Sequence, residues 1–180
     1  MKRELTLTDI AGYLPYGLNY QWTNMKSVRL ISTTDEVDYG SQHSLSTAWE
    51  WMKHGQARPI LRPMSDLTKE ITHRGEKITP LLVLAHLSYP SDKWAIRDGR
   101  ATTTNPFEGE EFRYEDGDFI LDDVHYDGTS FAGTTSTPME LRNQVAILDR
   151  LAEWLFDYRG LIPAGLAVSV HDLPTNPYEA

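Results

Sequence analysis

Two short stretches hold the side chains best suited to chemistry. Asp122-Asp123-Val124-His125 and His171-Asp172 each set a histidine beside carboxylates. Imidazole and carboxylate together can ligate a divalent or transition metal, or divide acid and base work between them. Asp122, Asp123, His125 and His171 are therefore the candidate metal ligands, and a metal-assisted hydrolase is the enzymatic reading they allow. Their spacing matches no diagnostic pattern such as His-Glu-x-x-His, and there is no Walker lysine or dinucleotide glycine pattern. Gly128-Thr129-Ser130-Phe131-Ala132-Gly133 lacks the Gly-x-Ser-x-Gly spacing of a nucleophile elbow. The chain has no cysteine, which removes thiol nucleophiles, disulfides and Cys-ligated zinc. With no catalytic constellation, the expectation is a protein that is not an enzyme and has no resident cofactor. A divalent cation is the one group the residues leave room for.

Charge offers a second kind of chemistry. Between Glu108 and Asp127 lie nine carboxylates and one guanidinium, Arg113, which leaves this segment at −8 of the chain's −9. Asp116-Gly117 is a strong two-residue hairpin turn. It pairs Glu115 with Asp118, Tyr114 with Phe119, Arg113 with Ile120, Phe112 with Leu121 and Glu111 with Asp122. Phe112, Tyr114, Phe119 and Leu121 then share a packed face. Glu111, Glu115, Asp118 and Asp122 share the other, relieved only by Arg113. Such a face can be a solvated surface that aids solubility. It can equally dock a basic protein surface, nucleic-acid mimicry included, because concentrated charge steers an opposite partner. Glu111, Glu115, Asp118 and Asp122 are the candidate partner-binding residues. A hard-cation site from Asp116, Asp118, Asp122 or Asp123 is the third reading, although no calcium-loop spacing is present.

The elements that would position these groups follow from periodicity and punctuation. Residues 5–12 read as a short helix with Thr8 as N-cap, stopped by Gly12 before the turn Tyr13-Leu14-Pro15-Tyr16-Gly17. Leu18–Thr23 and Val28–Thr34 read as a hairpin. Residues 44–53 fit helix and strand equally. Arg58–Pro63 must be extended, since each proline disfavours the α conformation before it. Ser65 can cap a short helix through Ile71, closed by His73-Arg74-Gly75-Glu76, and the basic cluster Lys69, His73, Arg74 and Lys77, interrupted by acidic residues, reads as a solvated helix face. Thr79-Pro80 opens an almost wholly apolar helix, with His86 expected as a satisfied core residue. Residues 91–109 and 128–136 read as loops. The clearest helix runs from Pro138 to Arg159, with Thr137 and Glu140 as a capping box and Gly160 as its stop. Its apolar stripes are Leu141, Val145, Leu148, Ala152, Leu155 and Ile147, Leu151, Trp154, Tyr158. Residues 166–170 form a final strand.

The 180 residues, 40% of them hydrophobic, are enough for one domain with a real core. The expected fold is α+β: a small antiparallel sheet packed against a long C-terminal helix, with an additional acidic β-hairpin. The whole chain, 1–180, reads as a single domain in which 91–136 is an insertion. The net charge of −9 argues against general nucleic-acid binding. No apolar run approaches the roughly 18 residues of a membrane span, and the first residues offer no signal-peptide core. A bacterial cytoplasm is the expected location. Most of the five tryptophans and nine tyrosines are expected in the core, although such rings can also line a pocket.

Three stretches are familiar together: Tyr13–Leu18, Pro59–Ile71 and Leu151–Leu173. In these the chain resembles a family of short proteins carried by phages and prophages of gut anaerobic bacteria. The resemblance omits 91–136 and brings no catalytic residue with it. It implies a small accessory phage protein that binds a host or defence component, by docking on a protein or by sequestering a small ligand. A virion structural or assembly role is the other alternative.

Overall fold

A computed structural model describes residues 3–23, 28–32, 42–89, 94–103, 108–126, 131–137 and 141–179. In chain order the elements begin α1 (Leu7–Ala11), β1 (Asn19–Trp22), β2 (Val28–Ser32), β3 (Gln42–Ser44), α2 (Leu45–Lys53), β4 (Ala57–Leu61), β5 (Ile71–His73) and β6 (Glu76–Ile78). There follow α3 (Pro80–Ser88), β7 (Trp94–Arg97), β8 (Arg100–Thr103), β9 (Glu108–Glu115), β10 (Asp118–Tyr126), β11 (Phe131–Thr137), α4 (Leu141–Glu153) and β12 (Val168–Ser169). The fold is mixed α+β. It divides into two compact units: unit 1 is 1–64, 73–75 and 151–180, and unit 2 is 65–72 and 76–150. The stretch 91–136 falls wholly within unit 2. No helix among the described residues is long and apolar enough to cross a membrane.

Unit 1 is built on a five-stranded sheet in the order β12-β4-β1-β2-β3. β1 runs antiparallel to β2 and β4, whereas β3 and β12 join in parallel. Its core gathers Ile10, Tyr13, Leu18, Tyr20, Met52, Ile60, Leu61, Leu155, Leu161 and Tyr178. Helix α1 starts two residues earlier than an N-cap at Thr8 would place it. Its N-cap is Thr6, whose N–H and hydroxyl donate to Asp9 Oδ2 at 2.9 and 2.8 Å. The ambiguous 44–53 segment is helix α2, capped by Ser44, whose hydroxyl accepts from the Thr47 N–H.

The C-terminal helix is shorter than its apolar stripes suggest. α4 ends at Glu153, and Pro138–Glu140 lie outside the described residues. Leu155 turns to φ 61°, a left-handed conformation that costs a non-glycine residue energy and ends the helical path. Tertiary bonds hold it there: the Arg62 N–H donates to the Leu155 carbonyl at 2.7 Å, and the Asp157 N–H to the Arg62 carbonyl at 2.8 Å. Of the expected stripes, Ile147, Leu151 and Trp154 are buried, but Val145 and Leu148 are exposed.

Unit 2 holds an antiparallel sheet in the order β11-β10-β9-β8-β7, with α3 lying against β7, β8 and β9. Parts of both expected loops are strands: β7 and β8 lie in 91–109, and β11 takes up 131–137. Asp98-Gly99 turns β7 into β8 with both residues at positive φ, 49° and 77°, the conformation of a two-residue hairpin turn. The helix expected over 65–71 is also replaced. A single 3₁₀ turn at Met64–Asp66 gives way to β5, which pairs with β6. Within α3, Leu81, Leu84 and Ala85 are buried while His86 is exposed rather than in the core.

Candidate functional site

The acidic hairpin has the register that a two-residue turn dictates, from Glu115 opposite Asp118 through Glu111 opposite Asp122. Phe112 is fully buried, and its ring stacks on Phe119 at 5.5 Å, with Tyr114 at 5.0 Å from Phe119 on the same face. On the opposite face Glu111 is only 4% exposed. Arg100 of β8 donates to its two oxygens at 3.0 and 3.2 Å, and Arg113 donates at 2.9 Å. Arg113 Nε also donates to Glu115 at 2.8 Å. Arg113 therefore does not relieve this face alone, because the neighbouring strand supplies a second guanidinium. Glu115, Asp116 and Asp118 are exposed at the turn.

Asp122, Asp123 and His125 lie on β10, in register with Glu111, Glu110 and Glu108 of β9. His171 is exposed in a 3₁₀ turn of unit 1. Among the described residues no group of three or more His, Asp or Glu side chains is arranged to hold a metal.

A pocket in unit 1 has the stronger claim. It encloses about 300 Å³ and is lined by Tyr16, Gly17, Asn19, His73, Arg74, Pro177 and Tyr178. Local sequence explains two of its walls. Leu14-Pro15-Tyr16 forms a 3₁₀ turn closed by Gly17 at φ 80°, a left-handed conformation that glycine adopts at no steric cost. Arg74 and Gly75 sit at φ 50° and 78°, making the tight turn between β5 and β6 that presents His73. The Arg74 and Gly75 N–H groups donate to the carbonyls of Tyr178 and Glu179 at 3.0 and 3.1 Å. The Tyr178 hydroxyl donates to the Ile60 carbonyl at 2.8 Å and accepts from the Asn19 N–H at 3.1 Å. Arg74 Nη2 donates to the Tyr16 carbonyl at 2.9 Å.

His73 is the unusual member. It is 7% exposed, yet among the described residues neither ring nitrogen has a hydrogen-bond partner. A buried polar atom without a partner costs about 1–3 kcal/mol. Burial, reinforced by the Arg62 and Arg74 guanidiniums and only partly offset by Glu153, brings its pKa down to about 4. The ring is therefore neutral near pH 7, with one nitrogen a donor and the other an acceptor. Arg62 is buried nearby, its guanidinium carbon 5.9 Å from the centre of the Tyr178 ring. Burial also pushes the Tyr178 hydroxyl well above the ordinary tyrosine range, against the pull of Asn19 and Arg62.

A second aromatic group lies at β1 and α2. Trp22 and Trp51 rings are 4.2 Å apart, His43 stands edge-on to Trp51 at 4.9 Å, and the Tyr20 hydroxyl meets His43 Nδ1 at 2.5 Å. Tyr20 is fully buried, so these rings cap the core of unit 1. Burial, with Arg29 nearby, holds the His43 pKa below its usual value.

The sequence pattern does not single out the pocket. His73 and Arg74 belong to a basic cluster expected on a helix face, and nothing nearby marks Tyr178 as their partner. The local signal is Arg74-Gly75, a pair that can turn a hairpin. No family model, no curated protein and no solved structure matches the chain.

Proposed function

We propose that this chain is a non-enzymatic binding protein that sequesters a small ligand in the unit 1 pocket, in the accessory phage role that the resemblance implies. One observation carries the reading: a buried histidine with two unpartnered ring nitrogens lines a cavity of about 300 Å³. That volume is at the small end of ligand pockets, and a ligand hydrogen-bonded to the ring would remove the desolvation penalty. Tyr16 and Gly17 of the pocket also lie in the first stretch that carries the resemblance. The test is an amide and imidazole NMR screen of the full chain against mixed carboxylates, phosphate esters, nucleosides and amino acids. Shifts centred on Tyr16, Asn19, His73, Arg74 and Tyr178 are expected for at least one compound. A panel that moves none of them removes the reading.

A docking role for the acidic face is favoured by a separate observation, the exposure of Glu115 and Asp118 opposite each other at the β9–β10 turn. Glu111 is committed to Arg100 and Arg113, so docking would rest on Glu115, Asp118 and Asp122 against a basic protein surface. The double reversal Glu115→Lys with Asp118→Lys should then abolish capture of a basic partner. The hydrolase reading would need a cation at Asp122, Asp123, His125 or His171. Calorimetry with magnesium, calcium and zinc tests it, and absence of heat in all three removes it.

A further inference from the structure

We infer that the unit 1 pocket takes the oxyanion head of a small organic carboxylate or phosphate ester, anchored by Arg74 and hydrogen-bonded by the His73 ring. This rests on the ligand-binding reading above and specifies the ligand's chemistry.

The groups facing His73 decide the sign of the ligand. From just beyond β4 comes the Arg62 guanidinium, from the turn the Arg74 guanidinium, and from the end of α4 the Glu153 carboxylate. Two cations against one anion leave the ring in positive surroundings, inside a chain whose net charge is −9. The remaining titratable neighbour, Tyr178, has its hydroxyl engaged by Ile60 and Asn19. A cationic ligand would meet like charge here, and a neutral one would leave the guanidinium field uncompensated.

Geometry supplies matching donors. Arg74 is exposed at the pocket rim, and among the described residues its guanidinium makes one hydrogen bond, to the Tyr16 carbonyl. Its fork of N–H donors suits a carboxylate or phosphate. His73 lines the same cavity, and among the described residues its two buried ring nitrogens have no partner. The Tyr16, Pro177 and Tyr178 walls provide apolar surface for the organic part of the ligand. An anion bound there would counter the burial and the guanidinium repulsion that together keep His73 neutral, and let the ring take up a proton. Both ring nitrogens would then be donors. Binding should therefore strengthen as pH falls below 7, and should draw protons from the buffer.

The experiment is calorimetry on the full chain with phenyl phosphate, benzoate and uncharged benzyl alcohol, alongside NMR of the His73 ring. Both anions are expected to bind at least about tenfold more tightly than benzyl alcohol, a difference near 1.4 kcal/mol. Tighter phenyl phosphate points to a phosphate ester as the natural ligand, and tighter benzoate to a carboxylate. Benzoate keeps its charge between pH 7 and 5.5, and over that range its affinity should rise roughly threefold with net proton uptake. Arg74→Asn keeps the left-handed turn, which Asn tolerates, and should weaken both anions about tenfold. His73→Gln should remove the pH dependence. Benzyl alcohol binding as tightly as the anions, with the His73 ring perturbed, overturns the anion inference but leaves the ligand-binding reading intact. Undiminished anion binding by Arg74→Asn also overturns it. If none of the three moves the His73 ring and the wider screen is silent too, both fail together.

Discussion

The Arg74 N–H donates to the Tyr178 carbonyl at 3.0 Å, so the turn that carries His73 is fastened to the C-terminal segment. Tyr178 is itself anchored through its hydroxyl to Ile60, 118 positions earlier. The pocket is therefore assembled from three distant pieces of chain, and its floor depends on one buried tyrosine.

Tyr178→Phe should destabilise unit 1 by about 2 kcal/mol. It would leave the buried Ile60 carbonyl and the Asn19 N–H each without a partner, at the usual cost of such orphans. Urea denaturation followed by tryptophan fluorescence measures this. A loss under about 0.5 kcal/mol would mean the tyrosine hydroxyl does not hold the floor.

The buried histidine predicts a pH dependence with a definite sign. His73 is neutral in the folded chain down to about pH 4, while the unfolded ring has its ordinary pKa of 6.5. Between these values the unfolded state binds more protons, so stability must rise with pH and fall on acidification. The loss due to this group is about 3 kcal/mol between pH 7 and pH 4. A His73→Gln variant should show a flatter curve over that window by about this amount. Parallel curves for the two proteins would contradict the depressed pKa.

Glu111→Ala should destabilise unit 2 by about 1–3 kcal/mol, because it removes the buried carboxylate shared by Arg113, which is largely buried, and half-exposed Arg100. Glu115→Ala, which removes a half-exposed carboxylate at the turn, should cost no more than about 0.5 kcal/mol. Thermal denaturation of the two variants checks the contrast. Equal effects would place both carboxylates on a solvated face.

Gly12→Ala should also cost stability, because a Cβ there would stand 2.8 Å from the Tyr158 hydroxyl oxygen. A loss of about 1 kcal/mol is expected, typical of overpacking. Tyr158→Phe in the same chain should recover most of it. If it does not, the clash lies elsewhere.

The legible parts of this fold were those where local chemistry decides the outcome. Asp116-Gly117 pairs the strands on either side because few other dipeptides accept positive φ at both positions so readily. Thr79-Pro80 opens α3 for similar local reasons. The readings that differ from the structure are those where distant chain decides. Leu155 continues an apolar helical stripe, yet bonds to the Arg62 backbone pull it out of the helix. Residues 65–71 carry helix-compatible residues, but Arg74-Gly75 turns a hairpin behind them. The pocket shows the same limit more sharply. His73 lines the pocket together with Tyr178 of the C-terminal segment, and no periodicity near position 73 encodes that partner. Glu111 looked like its neighbours in an acidic run because Arg100 lies on another strand.

The most direct measurement is an NMR titration of the His73 ring with and without saturating phenyl phosphate. The account predicts a pKa of about 4 in the free protein, rising by about two units when the pocket is filled. An unchanged His73 titration with the ligand bound, or a free ring titrating at its ordinary value, would contradict it.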